Sequence, residues 1–407
     1  MKSKFWGLAV LLCLLMSGCS GNQAQNEATN TLSNTPFQDS VSISPLEPVL
    51  SPSPSTDSPE TNESHLPEPV ARVHNGITVK VDPAIELLSV VQYLSGYDDA
   101  LGLLTDLEFQ YRDEIDTYFS GYNEHEAVAF VNDTMEKGFS FNVPPGILLY
   151  MGEDFSFDKQ GYEDSDLAKQ ADIDVDYYIE TLRSFYEDTD FKSFYESHLD
   201  YYNTLIDNTI TAMPKWNMIE VMEAFYGRKM GSYDLVLVSL FHSGGYGANT
   251  PGAVRPNIYS IIGPLQGGGE SVSFGSTDSL SRLVLHEFGH SFIRISEAEK
   301  EYPQITQALK ESSSLMEPIE EQMKSSAYPT WDYACEELVL RAAVIRLLFD
   351  NQGFNSLPLL EYERKEGFIY IYTVYNGLDE YIENRSNYPD FNDFIPSLLQ
   401  DLAETHR

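Results

Sequence analysis

Cysteine is scarce in this chain: three of its 407 residues are cysteines, at positions 13, 19 and 335. Cys13 and Cys19 lie in an N-terminal segment with the features of an export signal, so Cys335 is the one thiol left for the folded part. A single thiol forms no internal disulfide, even in an exported protein. Cys335 is a candidate ligand or nucleophile, but its apolar helical surroundings favour a packing role.

Basic residues are also few, with 25 lysines and arginines against 63 aspartates and glutamates and a formal net charge of −38. Such a surface repels nucleic acid and anionic lipid. We therefore expect no nucleic-acid partner, and a membrane link through a lipid rather than through a basic face. The acid excess itself is interpreted as a solubilising surface.

The apolar run near the N-terminus, residues 5–16, is too short to span a bilayer as a permanent helix. It follows Lys2 and Lys4 and ends at Ser-Gly-Cys19, which is the order of parts in a signal peptide and resembles a bacterial lipobox. Residues 1–19 are therefore predicted to be a lipoprotein signal peptide, with Cys19 lipidated. A plain secretory signal cut nearby is the alternative. Both predict export, and the first predicts lipid anchoring on the extracytoplasmic face of the cell membrane.

Residues 20–72 contain almost no aromatic or branched apolar side chains and are rich in Ser, Thr, Asn, Pro and Glu. Such a segment buries too little surface to offset the entropy lost on ordering, so it is predicted to be a disordered tether. Its mean reach is on the order of 40 Å. Residues 73–407 are dense in Tyr, Phe, Leu and Ile and are predicted to form one zincin-like catalytic domain.

The sequence HEFGH, from His286 to His290, has the form H-E-x-x-H in a chain with eight histidines. It lies in an apolar segment that begins with the capping residues Ser276 and Thr277, which predicts a helix. On a helix the two imidazoles lie one above the other and can bind one ion, while Glu287 reaches a water beside it. This chemistry is typical of a zinc hydrolase, in which Glu287 is the general base. The alternative is a pair of incidental helix histidines.

The third ligand must come from elsewhere, because Ser296 stands where a metzincin has its third histidine. The helical segment 333–349 offers Glu336 and Glu337. Helical periodicity places Glu337 among apolar residues and Glu336 on a face that is expected to be solvated. A carboxylate on an apolar face is costly unless it is paired or bound to metal, so Glu337 is the preferred ligand, with Arg341 as its orienting partner. A metal-free ion pair of Glu337 with Arg341 is the alternative.

The predicted fold class is α+β, predominantly helical, with a zincin-like domain built from the H-E-x-x-H helix and a small sheet. Strands are predicted at residues 76–81, 233–241 and 257–263. The strand at 257–263 is expected to border the cleft and pair with an extended substrate. The segment between the last two strands is expected to be a loop whose glycines permit close backbone approach.

Several motifs in order resemble a family of uncharacterised bacterial exported proteins, classed as a domain of unknown function and regarded as metallopeptidases. The likeness runs through VDPAIELLSVVQYLSGY, YFSGYNEHEAVAF, GFSFNVPP, GGYG, IYSIIGP and HEFGHSF to the E-x-x-x-R-A helix. The resemblance implies a zinc-dependent fold of the gluzincin kind. It also implies ligand roles for His286, His290 and Glu337 and the base role for Glu287.

The chain departs from this family at three places, one of which is Ile293-Arg294-Ile295, where the family tends to have Asn-Pro soon after the motif. Gly289 stands where the family tends to have serine, and Glu336 stands where it often has asparagine. His125 matches a histidine of the family's motif, although His125 and His198 are most simply interpreted as surface or structural histidines.

The sequence thus predicts a membrane-anchored zinc metallopeptidase that hydrolyses a peptide or protein substrate. Tyr246 and Tyr333 are candidates for stabilising the oxyanion. A cell-surface binding lipoprotein with a structural or vestigial metal site is one alternative, and a metal-free interaction domain is another. The sequence favours no particular oligomeric state.

Overall fold

The computed structural model of the protein describes residues 64–296 and 298–406. The strands there are β1 (Val70–His74), β2 (Ile77–Val81), β3 (Ser232–Leu237), β4 (Gly245–Thr250), β5 (Asn257–Ile262), β6 (Gln266–Gly268) and β7 (Ser271–Ser273). The helices are α1 (Pro83–Leu94), α2 (Tyr97–Leu101), α3 (Gln110–Phe119), α4 (Glu126–Thr134), α5 (Val143–Leu148), α6 (Lys159–Glu163), α7 (Val175–Asp188), α8 (Phe191–Ser197), α9 (Leu199–Ala212), α10 (Met218–Tyr226), α11 (Thr277–Gly289), α12 (Ala298–Glu301), α13 (Pro303–Ser312), α14 (Glu320–Ser325), α15 (Trp331–Gln352), α16 (Ser356–Lys365), α17 (Ile371–Glu383) and α18 (Phe391–Thr405). Four 3₁₀ helices connect them: Met135–Lys137, Leu167–Lys169, Ser313–Ile319 and Arg385–Asn387.

Five strands form one mixed sheet in the order β1-β2-β3-β5-β4, and β6 and β7 form a separate hairpin. The central strands β2, β3 and β5 run parallel, whereas β1 and β4 run antiparallel to their neighbours at the two edges. Val79, Leu235 and Ile261 on the central strands are fully buried. Such burial is expected where parallel strands are covered on both faces.

The predicted fold class is confirmed at the level of architecture: the described chain is α+β and mostly helical, with one small sheet. The three predicted strands correspond to β2, β3 and β5, and the motif lies on α11 as expected. The helix predicted at 333–349 is the central part of α15. These elements were predictable because their periodicity is a local property of the sequence.

The structure differs from expectation at the N-terminal edge of the domain. Strand β1, which pairs antiparallel with β2, begins at Val70, inside the segment expected to be a tether. Leu66 before it is already buried. The predicted signal peptide, Cys19 and most of the predicted tether lie outside the described residues.

The prediction that the strand at 257–263 pairs with an extended substrate is wrong. β5 lies between β3 and β4, so both of its edges are paired with neighbouring strands. The edge strand is β4, which the sequence analysis assigned to a glycine-rich loop. β4 has the sequence GYGANT, in which two glycines and an asparagine are residues depleted in strands, which explains why its sequence resembles a loop.

Helix α11 is anchored by its cap and by one apolar face. The side chain of Ser276 accepts a hydrogen bond from the backbone of the first turn, as predicted. Leu280, Val284 and Phe288 recur at helical spacing and are buried. The Phe288 ring lies 5.5 Å from the ring of Tyr233 on β3, so this face packs against the sheet. α11 also packs against β4, β5 and α15, which fixes the motif between the sheet and a second long helix.

The surroundings of three residues considered above, Cys335, His125 and His198, are consistent with structural roles. Cys335 is fully buried on α15, and burial raises the pKa of its thiol, in keeping with the packing role. His125 caps α4 by accepting a hydrogen bond from the Ala127 N–H at 3.1 Å. The Nε2 atom of His198 lies 2.7 Å from the carboxylate of Glu114.

A buried carboxylate lies on α1, far in sequence from the motif. Glu86 is 1% exposed and accepts a hydrogen bond of 2.6 Å from the Tyr111 hydroxyl, which lies 2.7 Å from the hydroxyl of Tyr202. Burial raises the pKa of Glu86 to about 7, although the hydrogen bond from Tyr111 opposes this shift. Glu86 is therefore protonated in the folded protein at mildly acidic pH.

This pKa predicts a pH-dependent stability. The folded-state pKa exceeds the unfolded value of about 4.3, so the folded state binds more protons and the free energy of unfolding falls as the pH rises between these values. Replacing Glu86 with glutamine removes this loss. Urea unfolding at pH 4 and pH 8 would measure this effect. Between these pH values the free energy of unfolding of Glu86→Gln should rise relative to that of the parent by on the order of 3 kcal/mol. The exposed Glu124→Gln should show no such gain, and equal gains in both variants would contradict the prediction.

No helix in the described part of the chain combines the length and the apolar character needed to cross a membrane.

Candidate metal centre

Three predicted site residues meet at one point between α11 and α15. His286 and His290 from α11 and Glu337 from α15 each offer a ligand atom, and these atoms all lie within 4.8 Å of one another. The Nε2 atom of His286 is 3.6 Å from Glu337 Oε2, and the Nε2 atom of His290 is 3.3 Å from Glu337 Oε1. This group could hold a metal ion.

The distances between the candidate ligand atoms suit one bound metal ion. Two ligand atoms that each lie about 2.1 Å from a tetrahedral ion are about 3.4 Å apart, close to the separations between Glu337 and the two imidazoles. The rings of His286 and His290 are nearly perpendicular, at 89°, with centroids 4.9 Å apart. The two imidazoles therefore converge through Nε2 rather than stacking on each other.

The ligand group is closed on the side of Glu337 and open on the side of the histidines. The side chain of Glu337 is 7% exposed, whereas those of His286 and His290 are 18% and 29% exposed. A catalytic metal site needs an accessible position for water or substrate beside its protein ligands. The exposed histidine side provides such access.

Arg341 lies where helical spacing predicted it, one turn after Glu337 on α15. Its Nε atom donates a hydrogen bond of 2.9 Å to Glu337 Oε2, and its side chain is 8% exposed. Burial alone raises the pKa of the Glu337 carboxyl, but the charges of His286 and Arg341 outweigh burial and hold that pKa well below its usual range. Glu337 is thus ionised, as a metal ligand must be.

The side chain of Glu336 is more buried than predicted. Its side chain is 13% exposed rather than solvated, because it turns back toward the chain that follows α11. Glu336 Oε2 accepts hydrogen bonds from the backbone N–H groups of Ile295, at 3.1 Å, and Ser296, at 2.8 Å. Its other oxygen lies 3.8 Å from Nδ1 of His290, on the side of the ring away from Glu337. Glu336 therefore faces the outer nitrogen of a ligand instead of competing with Glu337.

The carboxylates make this point of the structure favourable for positive charge. Burial by itself lowers the pKa of His290, but the nearby carboxylate of Glu336 and the charges of Glu337 and Glu287 raise it to about 9. A site that attracts a proton this strongly also attracts a cation that is shared among the same ligands.

Glu287 is 6% exposed and lies between the ligand helix and the edge strand β4. Burial raises the pKa of its carboxyl, while the charges of His286 and His290 and the backbone N–H of Gly247 oppose this shift. A carboxylate with a raised pKa beside a ligand group has the properties of a general base.

Two glycines of β4 allow the edge strand to approach the motif helix. A Cβ atom at Gly245 would lie 2.9 Å from Cγ of Glu287. A Cβ atom at Gly247 would lie 2.4 Å from the backbone oxygen of Glu287 and 3.1 Å from Cβ of His290. Side chains at these positions would push β4 away from α11. These glycines therefore permit close backbone approach, as expected, but they lie in a strand rather than in a loop.

Replacing Gly247 with alanine is expected to lower the free energy of unfolding by about 1–3 kcal/mol, because the added methyl group overlaps the backbone of α11. Metal affinity should fall as well, since α11 carries two ligands. Urea unfolding and metal titration would measure both effects. Gly121→Ala is the matched control, since a Cβ atom there meets nothing within 4 Å. Equal stability of the two variants would contradict this close approach.

The two tyrosines considered for the oxyanion lie in different environments. Tyr246 is paired in register with Ile261, whereas its neighbours Gly245 and Gly247 face α11. Because side chains alternate along a strand, Tyr246 points to the opposite face of the sheet, and its ring lies 5.4 Å from that of His242. This placement disfavours an oxyanion role for Tyr246, but burial, with a contribution from the charge of Glu287, raises the pKa of the Tyr246 hydroxyl, so the role stays a prediction. Tyr333 is 52% exposed on α15, one turn before Glu337.

Sequence reasoning missed two residues that support the site. Glu363 on α16 is 2% exposed and hydrogen-bonded to Arg341 at 2.8 Å. Asn392, fully buried on α18, accepts a hydrogen bond from the Arg294 N–H and donates one to the Phe292 carbonyl, both at 2.8 Å. Glu363 lies in a charged segment whose sequence resembles that of a solvated helix, whereas Asn392 is a single polar residue near the start of an amphipathic helix.

Comparison with known proteins gives a family but no activity. A family model described as a domain of unknown function (DUF4932) matches residues 77–400, which include every residue of the candidate metal centre. No curated protein and no solved structure matches the chain.

Proposed function

Because the chain belongs to the DUF4932 family, whose function is undefined, its activity must be argued from the site, and we propose that it is a zinc-dependent metallopeptidase. One observation carries this proposal: His286, His290 and Glu337 converge on one point with Glu287 beside them. Two imidazoles and one carboxylate are a ligand set used by catalytic zinc sites.

Zinc is the proposed metal because of the donor atoms and their spacing. Imidazole nitrogen suits zinc, copper, iron and nickel, and a tetrahedral arrangement with one open position favours zinc among these. The charge balance supports a dication. Glu337 belongs to the ligand group, and three further carboxylates lie near it, those of Glu287, Glu336 and Glu363. Two guanidiniums, those of Arg341 and Arg282, oppose these four carboxylates.

In the proposed mechanism, Glu287 takes a proton from the attacking water and passes it to the leaving amine. His286, His290 and Glu337 would hold the zinc, which would supply the Lewis acidity that polarises the scissile carbonyl and makes water nucleophilic near neutral pH. Arg341 orients Glu337 through its 2.9 Å hydrogen bond, and Glu336 faces the outer nitrogen of His290. Tyr333 stays a candidate for the oxyanion, because it is exposed on the helix that carries Glu337.

An extended peptide is the proposed substrate, and the edge strand β4 is its proposed binding element. Within the described chain β4 pairs with β5 alone, so its second edge has backbone groups available for an added strand. Gly245 and Gly247 bring this strand against Glu287. A peptide that pairs with β4 would therefore run past the general base. The strand proposed to pair with the peptide is therefore β4, and not β5 as expected from the sequence.

We further propose that the protein acts outside the cytoplasm on a lipid anchor. The support comes from the sequence, with its basic N-terminus, its apolar run and Cys19 after a Ser-Gly pair. A gluzincin relationship is likewise proposed from the ligand set of two histidines and one glutamate.

The deciding experiment is elemental analysis of the purified full-length protein beside His286→Ala. About one zinc per chain in the parent, absent from the variant, is the expected result. A parent that takes up no zinc after reconstitution would overturn the peptidase proposal. The buried ion pair of Glu337 with Arg341 would then favour a metal-free interaction domain. Zinc binding without hydrolysis of any peptide in a library would instead favour a cell-surface binding protein with a structural metal.

A further inference from the structure

Each of the two helices that carry the candidate ligands also carries an arginine one turn away. Arg282 precedes His286 by four residues on α11, and Arg341 follows Glu337 by four residues on α15. Residues four apart lie on the same face of a helix, so each arginine lies next to the ligand of its own helix.

One carboxylate joins these two arginines. Glu363 on α16 accepts a hydrogen bond from Arg282 to Oε1, at 3.1 Å, and one from Arg341 to Oε2, at 2.8 Å. Its side chain is 2% exposed. A buried carboxylate is stable only when it is paired, and here each oxygen is paired with a cation from a different helix.

Arg341 connects Glu363 to the ligand group. Arg341 donates through Nε to Glu337 and through a terminal nitrogen to Glu363, so its planar guanidinium is held between two carboxylates. The same guanidinium lies 4.6 Å from the centre of the Phe368 ring. With its position fixed on several sides, Arg341 has little freedom to turn away from Glu337.

Glu363 also sets the charge near the ligand group. With Glu363 ionised, the two guanidiniums are balanced by Glu363 and Glu337. Without this charge, Arg341 would be neutralised by the ligand Glu337 alone, and an uncompensated positive charge would oppose the binding of a dication. Both the geometry and the charge therefore predict that Glu363 strengthens metal binding without touching the metal.

We propose that Glu363 is a positioning residue of the metal centre, acting through Arg341 on Glu337 and through Arg282 on the helix that carries both histidines. This inference rests on the proposed metal-dependent function. Glu363 lies on α16, outside both helices that carry the candidate ligands, and its effect is expected to reach the metal through Arg341.

The test is the zinc affinity of the purified full-length protein, measured by competition with a chromophoric chelator at a temperature where all variants are folded. Glu363→Gln keeps the size of the side chain and removes its charge, and its affinity should be about 10- to 100-fold weaker than that of the parent. Glu361→Gln, on the same helix but with a side chain 42% exposed, is the matched control and should bind as the parent does.

A double-mutant cycle separates positioning from a purely structural effect. If Glu363 acts through Arg341, then Glu363→Gln should add little further loss of zinc affinity to Arg341→Gln. Independent effects would multiply instead. The absorption spectrum of the cobalt-substituted proteins gives a second readout, because a displaced Glu337 changes the ligand geometry, which a uniform loss of stability would leave unaltered.

The outcomes for this inference and for the proposed function are distinct. Zinc binding by the parent together with unchanged affinity in folded Glu363→Gln would overturn the role of Glu363 and leave the metal centre standing. Absence of zinc from the parent would overturn the proposed function itself. Should Glu363→Gln fail to fold, Glu363→Asp shortens the side chain that contacts Arg282 and Arg341, and unchanged zinc affinity together with an unchanged cobalt spectrum in that variant would equally overturn the inference.

Discussion

Replacing Glu337 with alanine is expected to abolish zinc binding and to lower the free energy of unfolding by about 3–5 kcal/mol. The carboxylate is 7% exposed and is shared by His286, His290 and Arg341. Its loss removes the third ligand and leaves a buried guanidinium beside two imidazoles. Elemental analysis and urea unfolding would measure the two effects.

A second substitution separates these effects. In Glu337→Ala/Arg341→Met the guanidinium that has lost one of its two carboxylates is gone, and Glu363 keeps Arg282 as a partner, so part of the lost stability should return while zinc stays absent. Glu336→Gln is the matched control on the neighbouring residue. It should keep about one zinc per chain, because Glu336 contacts the outer nitrogen of His290 and lies outside the ligand group. Retention of zinc by Glu337→Ala would show that the ligand set is different.

The parts of the site that lie on single helices were predictable from the sequence. The histidine pair follows from the spacing on α11, and Glu337 follows from its place among apolar residues of α15. Helical periodicity is local, so it holds before any tertiary contact is known. It also places Arg341 correctly, one turn beyond Glu337.

Contacts between distant segments were not predictable in this way. The order of the sheet depends on pairing between β2 and β3, whose residues are more than 150 positions apart. β4 contains glycines where a strand usually has branched side chains, because Gly245 and Gly247 must pass close to α11. The requirement is set by the partner helix, so the same sequence taken alone indicates a loop.

Glu336 and Glu363 illustrate the same difference between local and distant determinants. The helical face of Glu336 indicates exposure, yet its carboxylate binds the backbone of Ile295 and Ser296, which return toward α15 after the motif helix. Glu363 lies in a charged segment with Glu361 and Arg364, and its burial depends on two arginines from other helices. A polar residue that is buried by its partners leaves little trace in the sequence.

Replacing the proposed general base, Glu287, is expected to lower the peptidase activity strongly. Glu287→Gln should lower kcat/KM for peptide hydrolysis by about 10²- to 10⁴-fold while the protein keeps about one zinc per chain. Glutamine occupies the same space beside Gly245 and accepts hydrogen bonds, but it cannot take a proton from water. Because Glu287 lies outside the ligand group, metal binding should survive its replacement.

The combination of lost activity and retained zinc is what distinguishes a peptidase from a binding protein with a structural metal. Asp278→Asn, at the exposed start of the same helix, is the matched control and should keep both activity and zinc. If Glu287→Gln hydrolyses peptides as fast as the parent, the base lies elsewhere and β4 does not present the substrate to Glu287. If it loses zinc together with activity, Glu287 contributes to the metal centre itself, and the separation of ligand and base argued from the geometry fails.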